Sequence, residues 1–346
     1  MNRALLAYAL RRILVLIPTF IVINFIGFSI MRLAPGDPVE LYLSGGLASG
    51  QTGMSTQKLA DAERAKAELR HELGLDRPLL TQYFDWLSGF ATGDLGRTLK
   101  DRQPVWDKIR ERLPITVGID VAVLIITYLF AIPLGIYSAV RPGTTVDQAL
   151  TVTLFALYSL PSFWIGVLLI VFLCGGDYLN LFPPSGIHSL MYSSDWPFLR
   201  RLGDLAYHLT LPLFVSTLGS YTELSRYLRS SMLENAQQDF VRTARAKGVP
   251  ERNVVVKHML RNSLIPMVTI LAGILPGLIG GSVLIENIFS IPGLGQLGYQ
   301  AVLARDYPVI LALFGTSVGL TLVGFLVADV LLALVDPRIT FTSKTA

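Results

Sequence analysis

Hydrophobic positions in this chain are gathered into long blocks that contain no Asp, Glu, Lys or Arg. The blocks cover 13–31, 121–140, 148–176, 205–222, 262–285 and 307–328. A helix rises about 1.5 Å per residue, so roughly 18 to 25 apolar residues cross about 30 Å of hydrocarbon. Core helices of soluble domains keep a polar face, and these blocks do not. The pattern predicts an all-α membrane protein with six transmembrane helices.

Between the first two blocks the periodicity changes. From Pro35 to Pro114 the chain is polar and helical in pattern. Ser55 or Thr56 can cap a helix whose apolar positions Leu59, Ala62, Leu69 and Leu73 share one side, with Gly74 as its stop. A second amphipathic stretch, LLTQYFDWLSGF, follows Pro78, and its Tyr83, Phe84, Trp86, Leu87 and Phe90 suit a membrane interface or a packed cap. Three parts follow: an N-terminal transmembrane helix (1–34), an extracytoplasmic helical region (35–114) inserted between helices 1 and 2, and a core of five further spans (115–340). The first block reads as a retained anchor, because MRLAPGDP after it has no small-x-small cleavage site.

Composition agrees with this division. The chain is 52% hydrophobic and 16% charged, against about 25% charged for soluble proteins, and its mean hydropathy is +0.53. The charges also orient it. The segment from Ser225 to Asn262 holds eight basic and three acidic residues, a net +5 where the whole chain is +4. Basic loops stay cytoplasmic, so this loop and, with six spans, both termini are expected inside. The basic stretch Arg97 to Arg112 falls outside, within a loop of a length that translocates regardless of charge.

Several motifs suggest chemistry. The single cysteine, Cys174, leaves no internal disulfide, and His71, His188, His208 and His258 fall on four segments without ligand spacing, so no metal site is expected. Gly293, Gly295 and Gly298 match the dinucleotide pattern G-x-G-x-x-G, but no strand precedes them. GTSVG around Ser317 resembles a serine-nucleophile pattern, with His208 as the base that an intramembrane serine protease would need; packing of Gly315 and Gly319 explains it equally well. Gly273, Gly277 and Gly281 share one face of the fifth block and suit a subunit interface or a pathway. Asp120, Glu223 and Asp329 are the ionisable residues near membrane depth, where such groups face a cavity or a partner. No G-x-x-x-x-G-K-[ST] phosphate loop occurs, so any ATP is hydrolysed by another chain.

The basic loop, about 234–266, reads DFVRTARAKGVPERNVVVKHMLRNSLIP from Asp239: a short helix, a break at Gly248-Val249-Pro250, and a second segment returning to the membrane. RTARAKG followed by a basic helix and a late proline resembles the Glu-Ala-Ala loop of binding-protein-dependent ATP-binding-cassette importer permeases, the dipeptide and oligopeptide group in particular. Arg242 and Thr243 stand where the general pattern has Glu and Ala, while Ala244 and Gly248 are kept. LRRILVLIPTF with RLAPGDPV, LGLDRPLLTQYFDWLSGFATGDLGRTL, ENIFSIPGLGQLGYQAVLARDYPVI and VDPRI extend the resemblance along nearly the whole chain.

The resemblance implies a type I ABC importer permease fold and no catalysis by this chain. It implies a second homologous permease, two cytoplasmic ATPase subunits that hold ATP and Mg, an extracytoplasmic solute-binding protein and surrounding membrane lipid, with no nucleic-acid partner. The location implied is a bacterial or archaeal cytoplasmic membrane. Peptides are the implied substrate, with nickel chelates, glutathione and oligosaccharides as alternatives. Arg242, Thr243, Ala244, Arg245, Ala246, Lys247 and Gly248 are the expected ATPase-coupling residues. Glu223, Gly277 and Glu286 are the expected pathway residues.

Overall fold

The computed structural model describes residues 3–33, 64, 67, 68, 70, 71, 74–175, 178–274 and 281–335. Among these, every regular element is helical, joined by two isolated β-bridges. The elements are α1 (Arg3–Leu33), α2 (Leu79–Thr92), α3 (Val105–Val140), α4 (Thr145–Ser159), α5 (Ser162–Leu173), α6 (Phe198–Ala236) and α7 (Asp239–Ala246). Then α8 (Glu251–Asn253) runs through a π-helical segment, Val254–Leu260, into α9 (Arg261–Ile274), followed by α10 (Val283–Ile288), α11 (Leu294–Ala304) and α12 (Tyr307–Val335).

Three helices are individually long and apolar enough to cross a membrane: α1 over Leu10–Leu33, α3, and α12 over Tyr307–Val330. α4 and α5 are together long and apolar enough for a fourth crossing, but they meet at 95°, the geometry of a broken span or a re-entrant loop. The block 148–176 is therefore not the single helix that its hydropathy suggests. Leu160 is extended (φ −94°, ψ 135°) because the ring of Pro161 disfavours helical geometry in the residue before it. Block 205–222 lies within α6, and block 262–285 begins in α9 and continues beyond the described residues.

α1 and α12 pack antiparallel. Arg12 Nε lies 2.6 Å from Asp329 Oδ2 at one end, and the Arg32 guanidinium lies 5.8 Å from the Tyr307 ring centre at the other. The twenty residues from Arg12 to Arg32 rise about 30 Å, the thickness of the hydrocarbon layer. Nearer the Arg32 end, a Cβ on Gly27 would stand 2.3 Å from the Phe314 ring, so glycine is what lets the two helices cross.

The aromatic stretch of α2 does more than rest on the helix ends. Tyr83 is buried and donates to the Ile21 carbonyl at 2.6 Å, twelve residues or about 18 Å below the end of α1. Trp86 and Phe90 pack on Gly315 of α12, where a Cβ would meet their rings at 2.8–3.1 Å. Gly74 ends the preceding segment as expected: its φ is +61°, with Gly74 N bonded to His71 O and Leu75 N to Arg70 O. Ser55, Thr56, Leu59, Ala62, Leu69 and Leu73 lie outside the described residues.

The pair α3 and α6 forms the axis of the molecule. A Cβ on Gly135 would be 2.9 Å from Leu228 Cβ, so the two backbones approach closely there. Beside this contact, Asp147 is buried and takes both Arg229 Nη2 (2.9 Å) and Nε (3.2 Å). Arg226 donates to Thr151 Oγ1 at 2.6 Å and to Ser138 Oγ at 3.1 Å. Two arginines of α6 thus tie together α3 and α4.

Candidate coupling site and glycine-rich loop

α7 is an eight-residue helix with two unlike faces. Val241 and Ala244 are buried in a cluster with Ala131 and Ala139 of α3, Leu228 and Met232 of α6, Val254 and Met259 of the π-helical segment, and Met267 of α9. Phe240, Arg242, Thr243, Arg245, Ala246, Lys247 and Gly248 are exposed. Of the seven residues expected to couple, six stand on the outer face. Ala244 instead faces inward, where its small side chain lets α7 sit close to the core.

The end of α7 is a glycine-dependent cap. Gly248 has φ +73°, its N–H bonds to Arg245 O at 3.0 Å, and Val249 N bonds to Ala244 O at 3.2 Å. This is the paired pattern of a helix closed by a left-handed residue. Arg245 then spans the turn, with Nη2 at 2.6 Å and Nε at 3.2 Å from the two oxygens of Glu251. The bond holds the Glu251 carboxyl below its ordinary range and raises Arg245. Its contribution is therefore present above the unfolded carboxyl pKa and is lost as pH falls through the lowered folded value. Both groups are exposed, so Glu251→Gln is expected to cost only about 0.2–1 kcal/mol, a small change in the melting temperature of the purified protein. Among the described residues Arg242 approaches Asp239 alone, at 3.8 Å and in the open, which leaves it the more available cation of the two.

At the other end of α3, the glycine-rich loop wraps a carboxyl group supplied by the chain itself. Glu286 is buried; its Oε1 accepts from Thr116 Oγ1 at 3.1 Å and its Oε2 from Gln296 N at 2.8 Å. Thr116 Oγ1 in turn accepts from Leu294 N at 2.8 Å. These amides open α11, where unsatisfied N–H groups favour negative charge. A Cβ on Gly293 would stand 2.4 Å from the carboxylate, and one on Gly281 2.6 Å. Gly293 and Gly295 of the dinucleotide-like pattern thus let the backbone wrap Glu286, while Gly298 faces Leu313 instead. Glu286→Gln keeps one acceptor for Gln296 N–H but turns the other oxygen, which accepts from Thr116 Oγ1, into a donor, and we expect a loss of about 1–3 kcal/mol, read as an earlier thermal unfolding transition.

Thr116 belongs to the same unbroken helix as Ala131 and Ala139. One rod about 35 Å long between Thr116 and Ala139 therefore joins the base of α7 to the Glu286 loop.

The other expected pathway residues separate. Glu223 is exposed on α6 between buried Thr222 and Leu224, and Gly277 lies outside the described residues. His208 Nδ1 bonds to the Asp204 carbonyl at 2.9 Å, whereas Ser317 lines a groove with Leu294, Gly298 and Ile310. No hydrogen bond joins Ser317 to His208 among the described residues. No cluster of three metal-ligating side chains occurs among them either.

The family model for the binding-protein-dependent transport system inner membrane component matches residues 131–341, and the corresponding N-terminal model matches residues 5–120. The chain belongs to this family. Its relatives include the oligopeptide transport system permease protein AppB of Bacillus subtilis (strain 168), 39% identical over 97% of this chain and 99% of that protein. The inner membrane ABC transporter permease protein YejB of Escherichia coli O157:H7 is 35% identical over 98% and 100%. The dipeptide transport system permease protein DppB of Escherichia coli (strain K12) is 33% identical over 97% and 99%. Membership makes the chain the membrane component of a transport system. Within such a component, α7 and the Glu286 loop are the features at the two ends of α3 that need explaining.

Proposed function

We propose that the chain is a permease subunit of an ATP-driven, binding-protein-dependent importer of di- or oligopeptides. It has six spans in the type I arrangement, both termini in the cytoplasm, and residues 35–114 on the outer side. The antiparallel α1–α12 pair, with Arg12 and Asp329 at one end, supports termini that share a side. Two ATPase subunits carrying ATP and Mg, a second permease and a solute-binding protein complete the machine in a cytoplasmic membrane. Relatives named for oligopeptide and dipeptide transport favour peptides over nickel chelates, glutathione or oligosaccharides.

One observation carries the mechanism: α7 is buried on the side facing α3, α6 and α9 and bare on the other. A groove on an ATPase can take Phe240, Arg242, Thr243, Ala246 and Lys247, and displacement of α7 passes through Val241 and Ala244 to α3. At the far end of α3 the Glu286 loop re-orients α11 and the start of α12, so that opening alternates between the two faces. Glu286 serves this pathway by fixing the loop, and Glu223 faces the pathway or the second permease, since a charge turned toward lipid is costly.

The test is uptake. Proteoliposomes holding this chain with its partners and binding protein should accumulate a labelled tripeptide only when ATP is enclosed. ATP-dependent accumulation of a nickel chelate or glutathione, with no peptide accumulation, would overturn the substrate reading.

A further inference from the structure

The end of the α1–α12 pair opposite Arg12 contains a cavity of about 290 Å³ whose lining includes Arg32, Gln82, Asp85, Trp86, Asp94 and Tyr307. Two buried polar atoms in it have no partner: Arg32 Nε, a donor, and Gln82 Oε1, an acceptor. Buried polar groups in folded proteins are nearly always satisfied, so this pair marks a place where a ligand completes the structure. Arg32 is held beneath the cavity by the rings of Phe28 at 5.3 Å and Tyr307 at 5.8 Å. The acidic residues at the site each use one oxygen outside it, Asp85 Oδ2 toward Arg77 at 2.9 Å and Asp94 Oδ1 toward Gly96 N at 3.0 Å, and neither pairs with Arg32 among the described residues.

The lining describes the ligand. A guanidinium whose Nε–H has no partner selects phosphate or carboxylate. Two carboxylates in the same lining oppose a simple anion and favour one that also carries a cation, which the aromatic faces of Trp86 and Tyr307 can attract as well. Depth selects the source. Arg32 lies one hydrocarbon thickness from Arg12, at headgroup level, and aromatic residues gather at that level. Alongside it, Ile26, Ile30 and Leu33 of α1 are exposed, and Ile26 and Ile30 line, with Phe314, an apolar groove of about 500 Å³. A polar pocket beside an apolar groove suits an amphiphile.

We propose that this cavity binds the phosphoethanolamine headgroup of a membrane phospholipid. The phosphate sits on Arg32, the ammonium faces Asp85 and Asp94, and the acyl chains lie along α1. The lipid would act as a wedge that fixes α2 against α1 and α12 at the outer end of the molecule.

The full chain, purified with its partners and delipidated in detergent, is offered phosphatidylethanolamine and phosphatidylglycerol of identical acyl chains, and retained lipid is counted by native mass spectrometry. Wild type should retain phosphatidylethanolamine in preference, Arg32→Gln should retain about tenfold less, and Arg32→Lys should recover part of the loss. Asp94→Asn, an exposed change, should narrow the preference between the two lipids. Equal retention by wild type and a normally folded Arg32→Gln would overturn the proposal, and so would a wild type that does not distinguish the two lipids. Displacement of the lipid from wild type by inorganic phosphate or by a zwitterionic tripeptide would overturn it too, by assigning the cavity to a free solute. The wild-type comparisons and Asp94→Asn decide the matter even if Arg32→Gln fails to fold.

Discussion

Gly248→Val should reduce ATP-driven uptake by the assembled transporter about tenfold or more while the spans stay folded. The residue sits at φ +73°, and a side chain there costs about 1–2 kcal/mol even before β-branching is counted. Nothing lies within 4 Å of a Cβ at this position, so the penalty is conformational and stays local. The cap opens, Val249 loses its bond to Ala244, and the outer face of α7 is no longer presented at a fixed angle. Gly248→Asn should be milder, since asparagine tolerates left-handed geometry. Uptake and ATP hydrolysis measured together separate the outcomes: hydrolysis that continues while uptake falls shows uncoupling, whereas normal uptake in the valine variant would contradict the role assigned to α7.

Asp147→Ala should cause a marked loss of stability, about 1.5–3 kcal/mol, because it removes a buried carboxylate that takes two bonds from the half-buried Arg229. Arg226, 3.7 Å from the same carboxylate, loses its counter-charge as well. Exchanging both Asp147 and Arg229 for apolar residues of similar volume should restore most of the loss, which a double-mutant cycle of thermal unfolding in detergent would show as strong coupling. A small effect of Asp147→Ala would mean that α3, α4 and α6 are held by packing alone. In the proposed mechanism the network also bears on transport, because it joins helices to which α7 would pass its motion.

Much of this arrangement is legible in the sequence, and the exceptions share a cause. Charge-free blocks locate α1, α3 and α12, since lack of charge over about 20 residues has one physical explanation. The same signal cannot show the 95° turn at Leu160–Pro161, because a bent apolar run has the same composition as a straight one; the Leu-Pro step was the available sign. Asp147, Arg226 and Arg229 read as loop charges beside the blocks, and only the folded chain shows that they meet. The RTARAKG segment shows its helix and its stop, yet the inward turn of Ala244 depends on packing against α3 and α6. At the Glu286 loop, the glycine spacing does not show what the loop wraps: the Glu286 carboxyl, seven to ten residues upstream of Gly293 and Gln296, meets it only in the folded chain.

The proposed role of α7 as the docking point for the ATPases is tested most directly by which partners stay with the chain. Wild type and a Lys247→Ala, Gly248→Val double variant would be purified from the native membrane in mild detergent, and the retained proteins identified by mass spectrometry. We expect wild type to bring two ATPase subunits and a second permease, and the variant to keep the permease and lose the ATPases. Equal retention of ATPases by both, or recovery of wild type alone with its lipid intact, would contradict the account.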